Sequence, residues 1–382
     1  MKIGIVVPFS WSFWGGVPEH ADHQARALRA LGHEALIVMG HDPPGRLTKM
    51  LHPRIGRHER PPDYVVPVGR SVIVPANGSL SNIVLTPRSM LRMERVFERE
   101  RFDLLHVHEP MAPILSTYAL ARARCPIVTT SHSSGDTLRW YPMAHAAWGF
   151  LAERIDHKIA VSERAREAAA RYLGEPVEIL PNGVVIPEDA HPGERLPHVV
   201  FVGRHEPRKG LPVLLEAWPE IARRTGARLR VVGADPLSVR WLLRRQGVPG
   251  EHVDVLGSIS EDELTEELLQ ARLLVAPSVG RESFGMVLTR AFGCATPVVA
   301  SDIEGYRDVA GPENGMLVPP GDTRALAEAV VALLEDEPRR RALGEAGRRL
   351  AQERYGWERI ASRLVEIYGG LLDGAGEARA AA

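Results

Sequence analysis

Two short segments of the chain carry side chains suited to a charged leaving group. In residues 204–209, RHEPRK, Arg204, Arg208 and Lys209 put three cations into six positions, at the carboxyl end of an expected strand and ahead of an expected helix. Phosphate fits such a loop, because charge-assisted hydrogen bonds are about twice as strong as neutral ones and a helix N-terminus adds a favourable field. A solvated basic loop is the plain alternative. In residues 282–290, ESFGMVLTR, a helix expected from Ser283 leaves the amides of Phe284, Gly285, Met286 and Val287 in its first turn, free to hold phosphate oxygens. Glu282, just ahead of them, would repel a phosphate set too near and suits the hydroxyls of an adjoining sugar; a helix-capping Glu is the alternative. Further along the same helix stands a cation, Arg290.

The first loop, PFSWSFWGGVPEH, lacks the G-x-G-x-x-G pattern, which argues against a nicotinamide enzyme. Gly15 and Gly16 still precede a helix, where a missing Cβ lets a diphosphate or sugar approach the backbone, or merely permits a turn. His132, in TTSHSSGD, ends an expected strand as a polar group, and a structural histidine is the commoner case. His106, His108 and Glu109 end another strand. Strand alternation puts only His106 and His108 on one face, so no metal is assigned there. The acidic runs SEDEL and EDEP are poor metal sites too, and Ser260 with Glu263 fits a capping box.

The elements that must position these residues follow from periodicity. Among 382 residues, 45% hydrophobic, short β-branched runs alternate with amphipathic helical stretches, a pattern of α/β architecture with parallel sheets. It occurs twice, KIGIVVP to HKIAVS and then VEIL to GMLVPP, around a Pro/Gly/charge-rich segment at 180–197. The expectation is two Rossmann-like domains, 1–177 and 178–356, facing an interdomain cleft, because ligands bind outside the carboxyl ends of such strands. Residues 357–372 form a last helix whose Ile360, Leu364, Ile367 and Leu371 need a partner surface, and 374–382 reads as a frayed tail.

A formal net charge of −1 removes the bulk electrostatic case for nucleic acid. The opening apolar run is too short for a signal segment, and nowhere do about 18 apolar residues run unbroken. The two cysteines, Cys125 and Cys294, suit a reducing compartment. The expected place is the cytoplasm, with the inner face of the plasma membrane as an alternative. Arg88, Arg92, Arg95 and Arg99 share one face of an expected helix, a basic interfacial surface that Glu94, Glu98 and Glu100 dilute.

In order, GGV, HEPMAPILS, SHSS, ILPNGV, VGRHEPRKGL, ESFGMVL and ATPVVASD resemble the retaining glycosyltransferases of family four, which have the GT-B fold. The likeness covers nearly the whole chain and is nearest to the actinobacterial phosphatidylinositol mannosyltransferases. It implies a nucleoside diphosphate sugar, GDP-mannose first, as co-substrate, with no metal and no other cofactor. Gly15 and Gly16 should approach the donor phosphates, Arg204 and Lys209 should neutralise the leaving diphosphate, and Glu282 should accept from donor-sugar hydroxyls. Ser283 to Val287 and Arg290 complete the donor side, and His132 should lie near the reacting sugar. Asn77, Ser79 and Glu109 are the acceptor-side residues that the resemblance implies. The last helix should return to the N-terminal domain. Three departures stand out. Arg290 occupies a position where the family typically has a second Glu, Pro18 and Ala76 replace an expected Gln and Tyr, and SSGDTLRW lacks an expected Lys. A soluble sugar, inositol phosphate or secondary metabolite is the alternative acceptor; a noncatalytic sugar-nucleotide-binding or membrane-interaction protein is the alternative of another class.

Overall fold

In each half of the chain the β-branched runs become buried parallel strands. The computed structural model describes residues 1–13, 15–52, 60–76, 79–133, 149–190, 195–280 and 282–380. They form two compact units, Met1–Gly183 with Trp357–Ala382, and Val184–Gly356.

The first unit contains β1 (Lys2–Ser10), β2 (Glu34–Gly40), β3 (Val65–Gly69), β4 (Val72–Ala76), β5 (Ser79–Ile83), β6 (Leu104–His108), β7 (Ile127–Ser131), β8 (His157–Ala160) and β9 (Glu178–Ile179). Seven of these strands run in the order β3-β2-β1-β6-β7-β8-β9. Their pairings are parallel, whereas β4 and β5 form an antiparallel hairpin joined to β1 at Phe9 and Ile83. The hairpin was not expected, since Pro75 cuts short the β-branched run Val72–Val74 and the largely polar SLSNI has little strand character. VEIL was expected to open the second half. Instead Glu178 and Ile179 pair with β8 at the edge of the first sheet, and the unit runs on to Gly183 rather than ending at 177. A short apolar run does not say which sheet it will join.

Residues Ile3, Ile5, Val7, Leu28, Ile37 and Val128 build the core, and the last helix, Trp357–Ala380, adds Ile360, Leu364, Ile367 and Tyr368 to it. Each such apolar side chain contributes roughly 1.5–3 kcal/mol on full burial, which explains why this helix belongs to the first unit despite its place in the chain. It continues to Ala380, past the point where a frayed tail was expected.

The second unit is one parallel sheet, β12 (Val253–Gly257), β11 (Arg228–Val232), β10 (Leu196–Val202), β13 (Ala271–Ala276), β14 (Val298–Ser301) and β15 (Gly315–Val318), in that spatial order. Helices Leu211–Thr225 and Thr323–Glu335 cover one core, supplying Leu214, Trp218, Ile221, Val330 and Leu333 against Val199, Phe201, Leu229 and Val231.

Candidate functional site

Both sheets reverse their strand order at one point. β1 has β2 and β3 on one side and β6 on the other; β10 has β11 and β12 on one side and β13 on the other. At such points the loops leaving adjacent strands part and open a crevice at the carboxyl ends. The sequence-derived residues lie on those loops and on those following neighbouring strands.

In the second unit, the loop after β10 packs directly on the end of β13. Gly210 has φ +70°, and a Cβ there would lie 1.8 Å from the Pro277 carbonyl oxygen. The Val279 amide donates to the Arg208 carbonyl at 2.8 Å. This close approach brings Arg208 Nη1 and Lys209 Nζ each to 2.8 Å from Glu282 Oε1. Ser278 Oγ donates to the same oxygen at 3.3 Å and lies 2.8 Å from Tyr306 Oη. Glu282 is 9% exposed. Arg204 and Arg208 share Glu206, each at 2.9 Å, and the Arg204 side chain is about half exposed. Three cations against two carboxylates leave the group electropositive, suited to charge that grows on a departing diphosphate.

The helix expected from Ser283 begins instead at Met286, since Gly285 takes φ +82°, outside the helical region. Leu288 and Thr289 N–H groups both reach the Gly285 carbonyl, so Met286 and Val287 occupy the first turn. Ser283 and Phe284 precede it, and Phe284 packs edge-on against Tyr355 at 5.6 Å. Glu282 therefore lies outside the helix and is oriented by the cationic loop. Arg290 Nη2 lies 2.8 Å from Glu261 Oε1, at the first turn of helix Glu261–Gln270. Ser260 and Glu263 form the expected capping box there.

In the first unit, Gly15 caps helix Gly16–Ala30 in extended conformation, and a Cβ on it would meet nothing within 4 Å, so the backbone is open to approach. Four histidines gather beyond it. His108 Nδ1 lies 2.9 Å from His132 Nε2, and the His20 ring packs edge-on to both, at 5.4 and 4.9 Å. His106 stacks on His108 at 4.8 Å. His106 Nδ1 takes hydrogen bonds from Gln24 and Tyr368, which leaves Nε2–H to donate to Thr130 Oγ1 at 2.7 Å. Burial pushes His106 and His132 down to about 3, and holds His20 and His108 well below the ordinary imidazole range, helped by the neighbouring imidazoles. All four are neutral near pH 7.

Glu109 turns away from the rings. At φ +47° it accepts from the His132 amide at 3.0 Å and the Ser133 hydroxyl at 3.1 Å, and burial raises its carboxyl above the ordinary range despite those bonds. It is a brace for the loop carrying His132. Asn77 lies outside the described residues, as does the side chain of Ser79, which opens β5. Sequence reasoning missed Arg208 as a partner of Glu282, 74 positions away, and missed Ser278, Tyr306 and His20. No local pattern marks any of these.

Comparison with known proteins agrees with the geometry. Residues 14–186 match the family described as Glycosyltransferase Family 4, and residues 196–336 match Glycosyl transferases group 1. The chain is 36% identical over 380 residues to the phosphatidyl-myo-inositol mannosyltransferase of Mycobacterium leprae, covering 96% of each chain. The enzyme of that name from Mycolicibacterium smegmatis is 34% identical, with 96% of this chain and 93% of that one covered. Sucrose-phosphate synthase from Thermosynechococcus elongatus superposes with a TM-score of 0.73 at 22% identity, over 98% of this chain and 99% of the other. That likeness establishes the fold, the GT-B architecture of two parallel-sheet domains. The chain belongs to the family-four glycosyltransferases.

Proposed function

We propose that the chain transfers mannose from GDP-mannose to a phosphatidylinositol-type lipid, retaining the anomeric configuration and using its own cations rather than a metal ion. The acceptor and sugar are supported by the relatives of that name, alike over 96% of the chain. One observation carries the donor-handling role, the convergence of Arg208 and Lys209 on Glu282 where the loops after β10 and β13 meet.

In this reading the diphosphate draws Lys209 and Arg204 toward its oxygens as the glycosidic bond breaks, a stabilisation largest when charge has developed. Glu282, relieved of part of its ion pairing, accepts from sugar hydroxyls. The acceptor hydroxyl attacks from the face that the diphosphate leaves, and its proton passes to a departing phosphate oxygen, so no protein nucleophile is needed. Neutral His132 offers a hydrogen bond to the reacting sugar. Gly15 and Gly16 leave backbone open for the phosphates, Met286 and Val287 supply helix N-terminal amides, and Arg290 serves the ribose side.

The test is incubation of the chain with radiolabelled GDP-mannose and phosphatidylinositol vesicles, with and without chelator. A labelled glycolipid with an α-linkage, formed equally in both, is expected. Transfer only to soluble inositol phosphate would overturn the lipid acceptor, loss of activity with chelator would overturn metal independence, and preference for another nucleotide sugar would overturn the donor.

A further inference from the structure

The sequence set aside a metal on His106, His108 and Glu109, and Glu109 indeed faces the loop backbone. The tertiary structure makes a different grouping. His20, from helix Gly16–Ala30, His108, from the end of β6, and His132, just after β7, each place a ring nitrogen within 4.8 Å of the others. The three come from separate elements of one unit, so their meeting is fixed by the packing of its core.

Two polar atoms beside this group stay unsatisfied. His20 Nδ1 and Asn182 Oδ1 are buried without a hydrogen-bond partner among the described residues. The Asn182 side chain lies beside both His20 and His132. Leaving such atoms unpaired costs about 1–3 kcal/mol each, a sign that a further group completes the site. Three neutral imidazoles with an amide oxygen nearby match the donor set of a first-row transition ion, whereas hard cations prefer oxygen alone. His132 is partly open to solvent while His20 and His108 are buried, which gives an ion one side of entry.

We propose that His20, His108 and His132 form a three-histidine site for a divalent transition ion of the Zn2+ class, with Asn182 Oδ1 or a water as the fourth ligand. The ion takes the place of the proton that His108 and His132 share at 2.9 Å. On the transferase reading above, an ion here withdraws His132 from the sugar and inhibits transfer. That consequence rests on the reading, but the site does not.

The experiment uses the full, untagged chain, stripped with chelator and free of donor and acceptor. Zn2+ is titrated in competition with a chromophoric chelator, and Co2+ is followed by its visible absorption. One saturable equivalent is expected, with a four-coordinate Co2+ spectrum and quenching of Trp357, whose ring lies 4.9 Å from that of His20. His20→Gln and His108→Gln should each weaken Zn2+ at least about tenfold, while His106→Gln, stacked on the cluster but outside the trio, keeps the affinity. Absence of a saturable site, or unchanged affinity in His20→Gln and His108→Gln, overturns the proposal. X-ray absorption of the Zn2+-loaded unsubstituted chain decides it independently of how the variants fold, since fewer than three imidazole ligands also overturns it. Donor turnover, measured separately, tests the transferase reading.

Discussion

Lys209 Nζ lies 2.8 Å from Glu282 Oε1, and Arg208 Nη1 reaches the same oxygen at the same distance. Both cations are gathered at one carboxylate before any ligand arrives, and a departing diphosphate competes with Glu282 for Lys209 more strongly as its charge grows.

Lys209→Ala should therefore lower turnover more than it weakens donor binding, with a loss of about 2–4 kcal/mol in transition-state stabilisation. Arg204→Ala should follow the same direction with a smaller loss, because Arg204 is about half exposed and its field is screened by solvent. Steady-state kinetics at saturating donor checks both; turnover like that of the unsubstituted chain in Lys209→Ala would refute the role.

Gly210→Ala should destabilise the second unit by about 2–4 kcal/mol. Its φ of +70° disfavours a side chain, and the added Cβ would sit 1.8 Å from the Pro277 carbonyl oxygen, where backbone must move. Denaturant unfolding measures the loss. Gly226→Ala, also at positive φ but with nothing within 4 Å, should cost less, and equal effects would show that packing against Pro277 is unimportant.

Arg290→Ala should weaken nucleoside diphosphate binding by about 1–2 kcal/mol, the scale of one hydrogen bond to a charged group, with little change in saturated turnover. Glu261→Gln should lower the affinity less, since it loosens a guanidinium that Glu261 holds at 2.8 Å without removing it. Calorimetry showing unchanged affinity in folded Arg290→Ala would refute a ribose-side role.

Acid should weaken the first unit earlier than the carboxylates alone would. His106 and His132 are pushed from 6.5 to about 3 by burial, so between these values the unfolded chain binds protons that the folded chain does not. Their stabilisation is complete above pH 6.5 and is lost as pH falls toward 3, by about 1 kcal/mol per histidine near pH 5.5. Unfolding midpoints in chelator from pH 8 to 5 test this, and His106→Gln should flatten the slope.

Vesicle binding should fall with salt if Arg88, Arg92, Arg95 and Arg99 meet anionic lipid, because screening acts over about 8–10 Å at ordinary ionic strength. All four are exposed on helix Pro87–Glu100, with Leu91 63% exposed among them. Glu94 pairs with Arg122 and Tyr118, off this face, whereas Glu100 pairs with Lys2 and also with Arg99 at 2.6 Å, so one of the three diluting acids is fully engaged elsewhere and one is shared with the face. Replacing the four arginines with Gln should abolish co-sedimentation and leave donor binding intact; equal co-sedimentation rejects this face.

By itself the sequence determined the repeating strand–helix pattern, the capping box at Ser260, the cationic loop at 204–209 and the apolar stripe Ile360, Leu364, Ile367 of the last helix. Each is written in local spacing, which fixes where side chains point along one element. Its motifs also carried the family resemblance. Tertiary structure alone decided which elements meet. It sent VEIL to the edge of the first sheet, moved the start of the helix expected from Ser283 to Met286, past a left-handed Gly285, and engaged Arg290 with Glu261. It also joined Arg208 to Glu282 across 74 positions and gathered His20, His108 and His132 from a helix and two strand ends. Those meetings depend on strand order, close backbone approach at Gly210 and burial of distant apolar faces, none of which leaves a periodic trace along the chain.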